Sequence, residues 1–105
     1  MEEANLNYID ELSGGSLDFK TNIVFIIKKE LSNEIGVYYR HKEKLNFVQM
    51  AQSVHKLKHK ISILGMKKSY YLAEEYEVNL KNNSTNLHSD FESILKNMQE
   101  FVNLL

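Results

Sequence analysis

His55 and Lys58 stand three residues apart in the run VHKLKHKISILG, residues 54–65. On a helix that spacing sets an imidazole and an ammonium on neighbouring turns. An imidazole open to solvent, and neutral for a useful fraction of molecules near neutral pH, is a competent nucleophile toward phosphorus. The phosphohistidine it would form carries concentrated negative charge, which an ammonium one turn away would offset. Phosphoryl transfer asks for positioning and charge stabilisation more than elaborate covalent chemistry, so one histidine and one lysine on a rigid helix can suffice. Taken alone the pair is a weak signal, because most such residues decorate a solvated surface. His59 adds a second pattern, since histidines four apart on a helix also suit two metal ligands. Lys56 stands where zinc proteases need a glutamate, and the adjacent lysines oppose a cation, so no metal site is expected.

The charge around these residues is uneven. Between Glu43 and Glu74 there is no acidic residue, whereas Lys44, Lys56, Lys58, Lys60, Lys67 and Lys68 all fall there. A basic middle with acidic flanks fits a local anion site or an acidic partner surface, although on its own it is more often a solvated lysine face. The formal net charge of −1 argues against a nucleic-acid partner. Cysteine is absent, which removes disulfides, thiolate catalysis and Cys-based zinc sites and agrees with a cytoplasmic location. No apolar run reaches membrane-spanning length and no basic-then-apolar leader opens the chain, so no membrane partner is expected.

The elements that must position His55 read as helices. With no proline and only four glycines in 105 residues, the chain lacks the turn residues of a many-stranded fold and is long enough for one domain spanning 1–105. A short helix is predicted over about 6–12, closed by Ser13-Gly14-Gly15. Ser16 opens a long second helix from Leu17 to Arg40 or beyond, with Phe19, Ile23, Ile26, Ile27, Leu31, Ile35 and Tyr38 as its core face and Gly36 at a close contact or slight bend. Asn46 caps a third helix whose stripe is Phe47, Met50, Ala51, Val54, Leu57, Ile61 and Leu64, closed or bent by Gly65. The fourth carries Leu72, Ala73, Tyr76 and Leu80 and ends in the polar run 81–86. The fifth carries Leu87, Phe91, Ile94, Met98, Phe101 and Leu105. Four long amphipathic helices with short connections predict an all-α, antiparallel up-down-up-down four-helix bundle, with the short N-terminal helix across one end. On the third helix His55 lies roughly 130° from the centre of the apolar stripe and should project to solvent, along a line with Val48, Gln52, His59 and Ser62. Lys58 falls on the flank, where its stem can bend along the surface toward the imidazole.

Read together, these residues resemble the signature of bacterial histidine-containing phosphotransfer (Hpt) domains. In that signature the active histidine is followed by leucine two on, lysine three on, glycine four on, and a Leu-Gly pair nine and ten on. Leu57, Lys58, Leu64 and Gly65 match in register. Leu12-Ser13-Gly14-Gly15 followed by Phe19 looks like the family's first-helix ending, and Ala73, Tyr76 and Glu77 fall where its fourth helix carries a glutamate or glutamine. The resemblance covers nearly the whole chain. It implies that His55 is the phosphoacceptor, Lys58 the charge partner, and Glu77 a candidate acceptor for the imidazole Nδ1 proton. The other reading of Glu77 is an ordinary exposed helix residue. One position departs from the pattern: His59 stands in place of the glycine that leaves room for a docking partner. His59 swings aside, or narrows partner choice by bulk, or is itself the acceptor, in which case Lys58 and the Leu-Gly pair lose their register.

The resemblance further implies a monomeric phosphoryl carrier in a two-component phosphorelay, without independent catalysis and without a cofactor of its own. Its partners would be a hybrid sensor histidine kinase and response-regulator receiver domains, the receiver supplying the divalent metal. The receiver is expected to dock on Val48, Gln52, His55, His59 and Ser62, with apolar contacts from the first helix. A histidine-kinase dimerisation helix also presents a phosphorylatable histidine. It usually has an acidic residue right after that histidine and a proline further on; this chain has Lys56 and no proline. A non-catalytic helical adaptor and a His55/His59 metal-binding bundle are the alternatives.

Overall fold

The computed structural model describes residues 2–105, and among them there are five helices and no strand. They are α1 (Asn7–Ser13), α2 (Leu17–Glu43), α3 (Phe47–Ile63), α4 (Lys67–Lys81) and α5 (His88–Asn103). Local chemistry accounts for most of the boundaries. Gly14 takes the left-handed conformation that ends α1, at φ 53°. The Ser16 hydroxyl accepts a hydrogen bond from the Phe19 amide at 3.3 Å and opens α2. Asn46 does the same for α3, its Oδ1 accepting from the Gln49 amide at 3.2 Å. Gly65 closes α3 at φ +74°, where a Cβ would come within 2.6–2.9 Å of the Asn5 side chain. Helix α4 begins without a side-chain cap of its own. Its first amides are met from far away in sequence: Glu2 accepts from Lys68 N at 2.9 Å and from Ser69 N at 2.7 Å.

One core draws on all five helices: Ile9 from α1, Ile27, Leu31 and Tyr38 from α2, the stripe from Met50 to Ile61 on α3, Ala73, Tyr76 and Leu80 from α4, and Phe91, Ile94, Leu95, Met98 and Val102 from α5. The stripes predicted on α3, α4 and α5 lie in this core or against it, apart from Leu105, which is exposed at the end of α5. Tyr38 and Tyr76 are both fully buried, and their hydroxyls meet at 2.6 Å. Tyr38 also donates to Glu92 at 3.0 Å, and Glu92 is in turn held by Lys42 at 2.7 Å, so the buried hydroxyl pair is satisfied.

The predicted face of α2 needs correction. Phe19 and Ile26 are about half exposed, and Phe25 more so. The reason is length. Lys60, near the end of α3, pairs with Glu30 and Glu34, so α3 runs out beside residue 30 and the first turns of α2 extend past it. Only the short α1 is left to cover that stretch. Of the two roles expected for Gly36, close packing is not the one: a Cβ there would meet nothing closer than the Arg40 guanidinium, at 3.6 Å.

Candidate functional site on the exposed face of α3

Because the apolar stripe of α3 turns Met50, Ala51, Val54, Leu57 and Ile61 inward, the opposite face must carry what remains. Val48, Gln52, His55, His59 and Ser62 are all exposed, and the His55 side chain retains 57% of its accessible surface. Its ring meets that of His59 edge-on, with centroids 5.5 Å apart. Tyr8 of α1 reaches the Ser62 end of this face, sharing a shallow depression with Ser62 and Tyr70.

Beneath the imidazole lies a charged cluster centred on Glu77 of α4. Glu77 is buried, which sets aside the reading of an ordinary exposed residue. It falls inward because it shares the Ala73–Tyr76–Leu80 side of its helix. Its Oε1 lies 3.4 Å from His55 Nδ1 and 3.0 Å from Lys58 Nζ, while Oε2 lies 3.1 Å from Lys81 Nζ. With the proton on Nδ1 the ring donates to this carboxylate and Nε2 is left unprotonated on the far side of the ring. Burial pushes the Glu77 carboxyl up. Hydrogen bonds from Lys58 and Lys81, the charge of Lys58 and the contact with His55 outweigh it and hold the group below its ordinary range, ionised.

Lys58 stands differently from the surface-bending side chain expected. It is buried, committed to Glu77, and its ammonium sits 5.5 Å from the centroid of the Tyr70 ring. Val54, four residues earlier on the same side, explains this: Lys58 lies beside the apolar stripe and is carried inward with it. The exposed cation of the cluster is Lys81, at 64%. Lys81 was not among the residues singled out from sequence, although a glutamate and a lysine four apart on one helix are a recognisable pair.

Next to His55 a groove of about 570 Å³ opens between α3 and α4, with Val48, Ala51 and Leu80 as its apolar wall and Lys56 and Lys81 at its polar edge. No set of three His, Cys, Asp or Glu side chains converges as metal ligands among the described residues. No helix there is long and apolar enough to cross a membrane. Compared with known proteins, the chain matches no protein-family model, no curated protein and no solved structure.

Proposed function

We propose that the chain is an Hpt-type phosphoryl carrier, accepting a phosphoryl group on His55 from a receiver-domain phosphoaspartate and passing it to another receiver. The observation that carries this reading is the exposed imidazole whose Nδ1 faces a buried, ionised Glu77. That contact orients the ring, leaves Nε2 as the nucleophile, and stabilises the positive charge the ring gains on attack. In the transfer, the Nε2 lone pair forms the P–N bond as the anhydride P–O bond breaks, and the aspartate carboxylate leaves with the bonding electrons. The return step to a second receiver reverses this exchange. The receiver brings the divalent cation and most of the catalytic groups, so this chain is a carrier and not an independent enzyme.

The architecture belonging to this reading is an up-down-up-down bundle of α2 to α5 with α1 across one end. Three sets of contacts support it. Lys60 late in α3 meets Glu30 and Glu34, while Gln49 early in α3 borders the same hollow as His41 of α2. Lys42 late in α2 meets Glu92 early in α5. The Asn5 amide donates to the Leu64 carbonyl at 2.8 Å, drawing the start of the chain to the α3–α4 turn. The receiver docks over Val48, Gln52, His59 and Ser62, with Tyr8 and Leu12 of α1, both nearly half exposed, as the flanking apolar contacts. A cytoplasmic monomer working with a hybrid sensor kinase and its regulators completes the proposal.

The test is incubation with a phosphorylated receiver, scoring acid-labile, alkali-stable label. His55→Gln is expected to abolish the label with far-UV circular dichroism unchanged, and His59→Ala to retain it. Label that survives His55→Gln but is lost in His59→Ala would falsify the assignment.

A further inference from the structure

Two lysines touch Glu77, and their surroundings differ. Lys58 is 9% exposed, lies over Tyr70 and shares Oε1 with His55. To follow a phosphoryl group on Nε2 it would have to leave the aromatic ring and abandon a buried carboxylate, and an uncompensated buried charge is strongly unfavourable. Lys81 is 64% exposed, holds only Oε2, and borders the same groove as His55. If Lys81 swings away, Glu77 keeps Lys58 as a counter-ion, so the movement costs little more than an exposed ion pair. Lys56 also borders the groove and is exposed, but it makes no ion pair with Glu77, the carboxylate that ties Lys58 and Lys81 to His55.

Resting on the phosphoacceptor reading above, we infer that Lys81 on α4 is the mobile cation that pairs with the phosphoryl group on His55, while Lys58 serves as the fixed counter-ion of Glu77. The site then has two cations with separate tasks. One stays in place and keeps the orienting carboxylate charged; the other exchanges that carboxylate for the incoming anion and draws it toward the α3–α4 groove. A lysine suits the second task because its ammonium is a compact point charge on a flexible stem.

The experiment uses potassium phosphoramidate, a small donor that needs no receiver surface. The Nε2 lone pair forms the P–N bond to the protein as the donor's own P–N bond breaks and ammonia leaves. Wild type, Lys81→Gln, Lys81→Arg and Lys96→Gln are compared, the last as a control for net charge because Lys96 is exposed on α5, away from the site. Lys81→Gln is expected to slow labelling of His55 by roughly three- to tenfold, and to raise the pKa of the attached phosphoryl group by about 0.5 in a phosphorus NMR titration. Lys81→Arg and Lys96→Gln should stay near wild type on both readouts. Normal labelling and an unshifted phosphoryl titration in Lys81→Gln overturn the role of Lys81 and leave His55 as acceptor. A wild-type protein that takes no label at His55 overturns the phosphoacceptor reading, and this inference with it.

Discussion

Replacing Lys58 with Met removes the charge while keeping a long side chain to lie against Tyr70, so the change isolates what the ammonium does for Glu77. Glu77 and Lys58 are about 10% and 9% exposed, and their atoms are 3.0 Å apart. Breaking a fully buried pair typically costs 3–5 kcal/mol. Here Lys81 and a thin edge of solvent still reach Oε2, which reduces the expected cost to about 2 kcal/mol at neutral pH. Lys81→Met touches the same carboxylate from an exposed position and should cost no more than about 0.5 kcal/mol. Adding Glu77→Leu to Lys58→Met should restore most of the loss, because no unpaired charge then stays inside. Acid provides the second arm of the test. A carboxyl held below its ordinary value of 4.5 contributes stability above that value and loses it as pH falls through the lowered folded-state value. The gap between wild type and Lys58→Met should therefore close on acidification. Urea unfolding followed by far-UV circular dichroism, at about pH 7 and at successively lower pH until Glu77 is protonated in the folded protein, measures both arms. If Lys58→Met costs no more than Lys81→Met at neutral pH, or if its cost is the same in acid, the reasoning about the buried pair is wrong.

Gly36→Ala should stabilise the protein by about 0.5–1 kcal/mol, since a helical glycine is replaced where the new methyl meets only a flexible guanidinium at 3.6 Å. Gly65→Ala should do the opposite, by about 1–2 kcal/mol, because its φ of +74° and the crowding Asn5 side chain both resist a Cβ; thermal unfolding separates the two signs. Leu45 holds φ 51° in the turn after α2 with its side chain largely exposed, so Leu45→Gly should raise stability by about 0.5–1 kcal/mol in the same assay. Glu2→Ala should speed hydrogen exchange at the Lys68 and Ser69 amides while leaving those in the middle of α3 unchanged.

Where local chemistry decides, the chain is readable. Gly14, Ser16, Asn46 and Gly65 mark helix ends through backbone freedom or a side-chain acceptor within a few residues, and the structure uses each of them at the place expected. The exposed row from Val48 to Ser62 follows equally from the period of α3. Phe19 and Ile26 misled because a helical period identifies an apolar face without saying how far the neighbouring helices extend along it. Lys58 and Glu77 were legible in part: each lies within the apolar side of its helix, and opposite charges at two inward positions are a signal that they meet. The Tyr38–Tyr76–Glu92 network was not, since nothing local brings residues so distant in sequence to one point. The backbone path of the 82–87 connection was likewise out of reach, with Asn83 and Leu87 at φ 62° and 78° where no glycine announces a turn.

Helix α3 carries no aspartate or glutamate along its whole length, and that has a kinetic consequence. A negatively charged receiver surface docking here as proposed would meet nothing of its own sign on α3 itself, which favours correctly oriented encounter. Added salt would slow that approach by shortening the range of the attraction to within about 8 Å at physiological strength. The dwell time, governed by close packing once the bodies touch, would change far less.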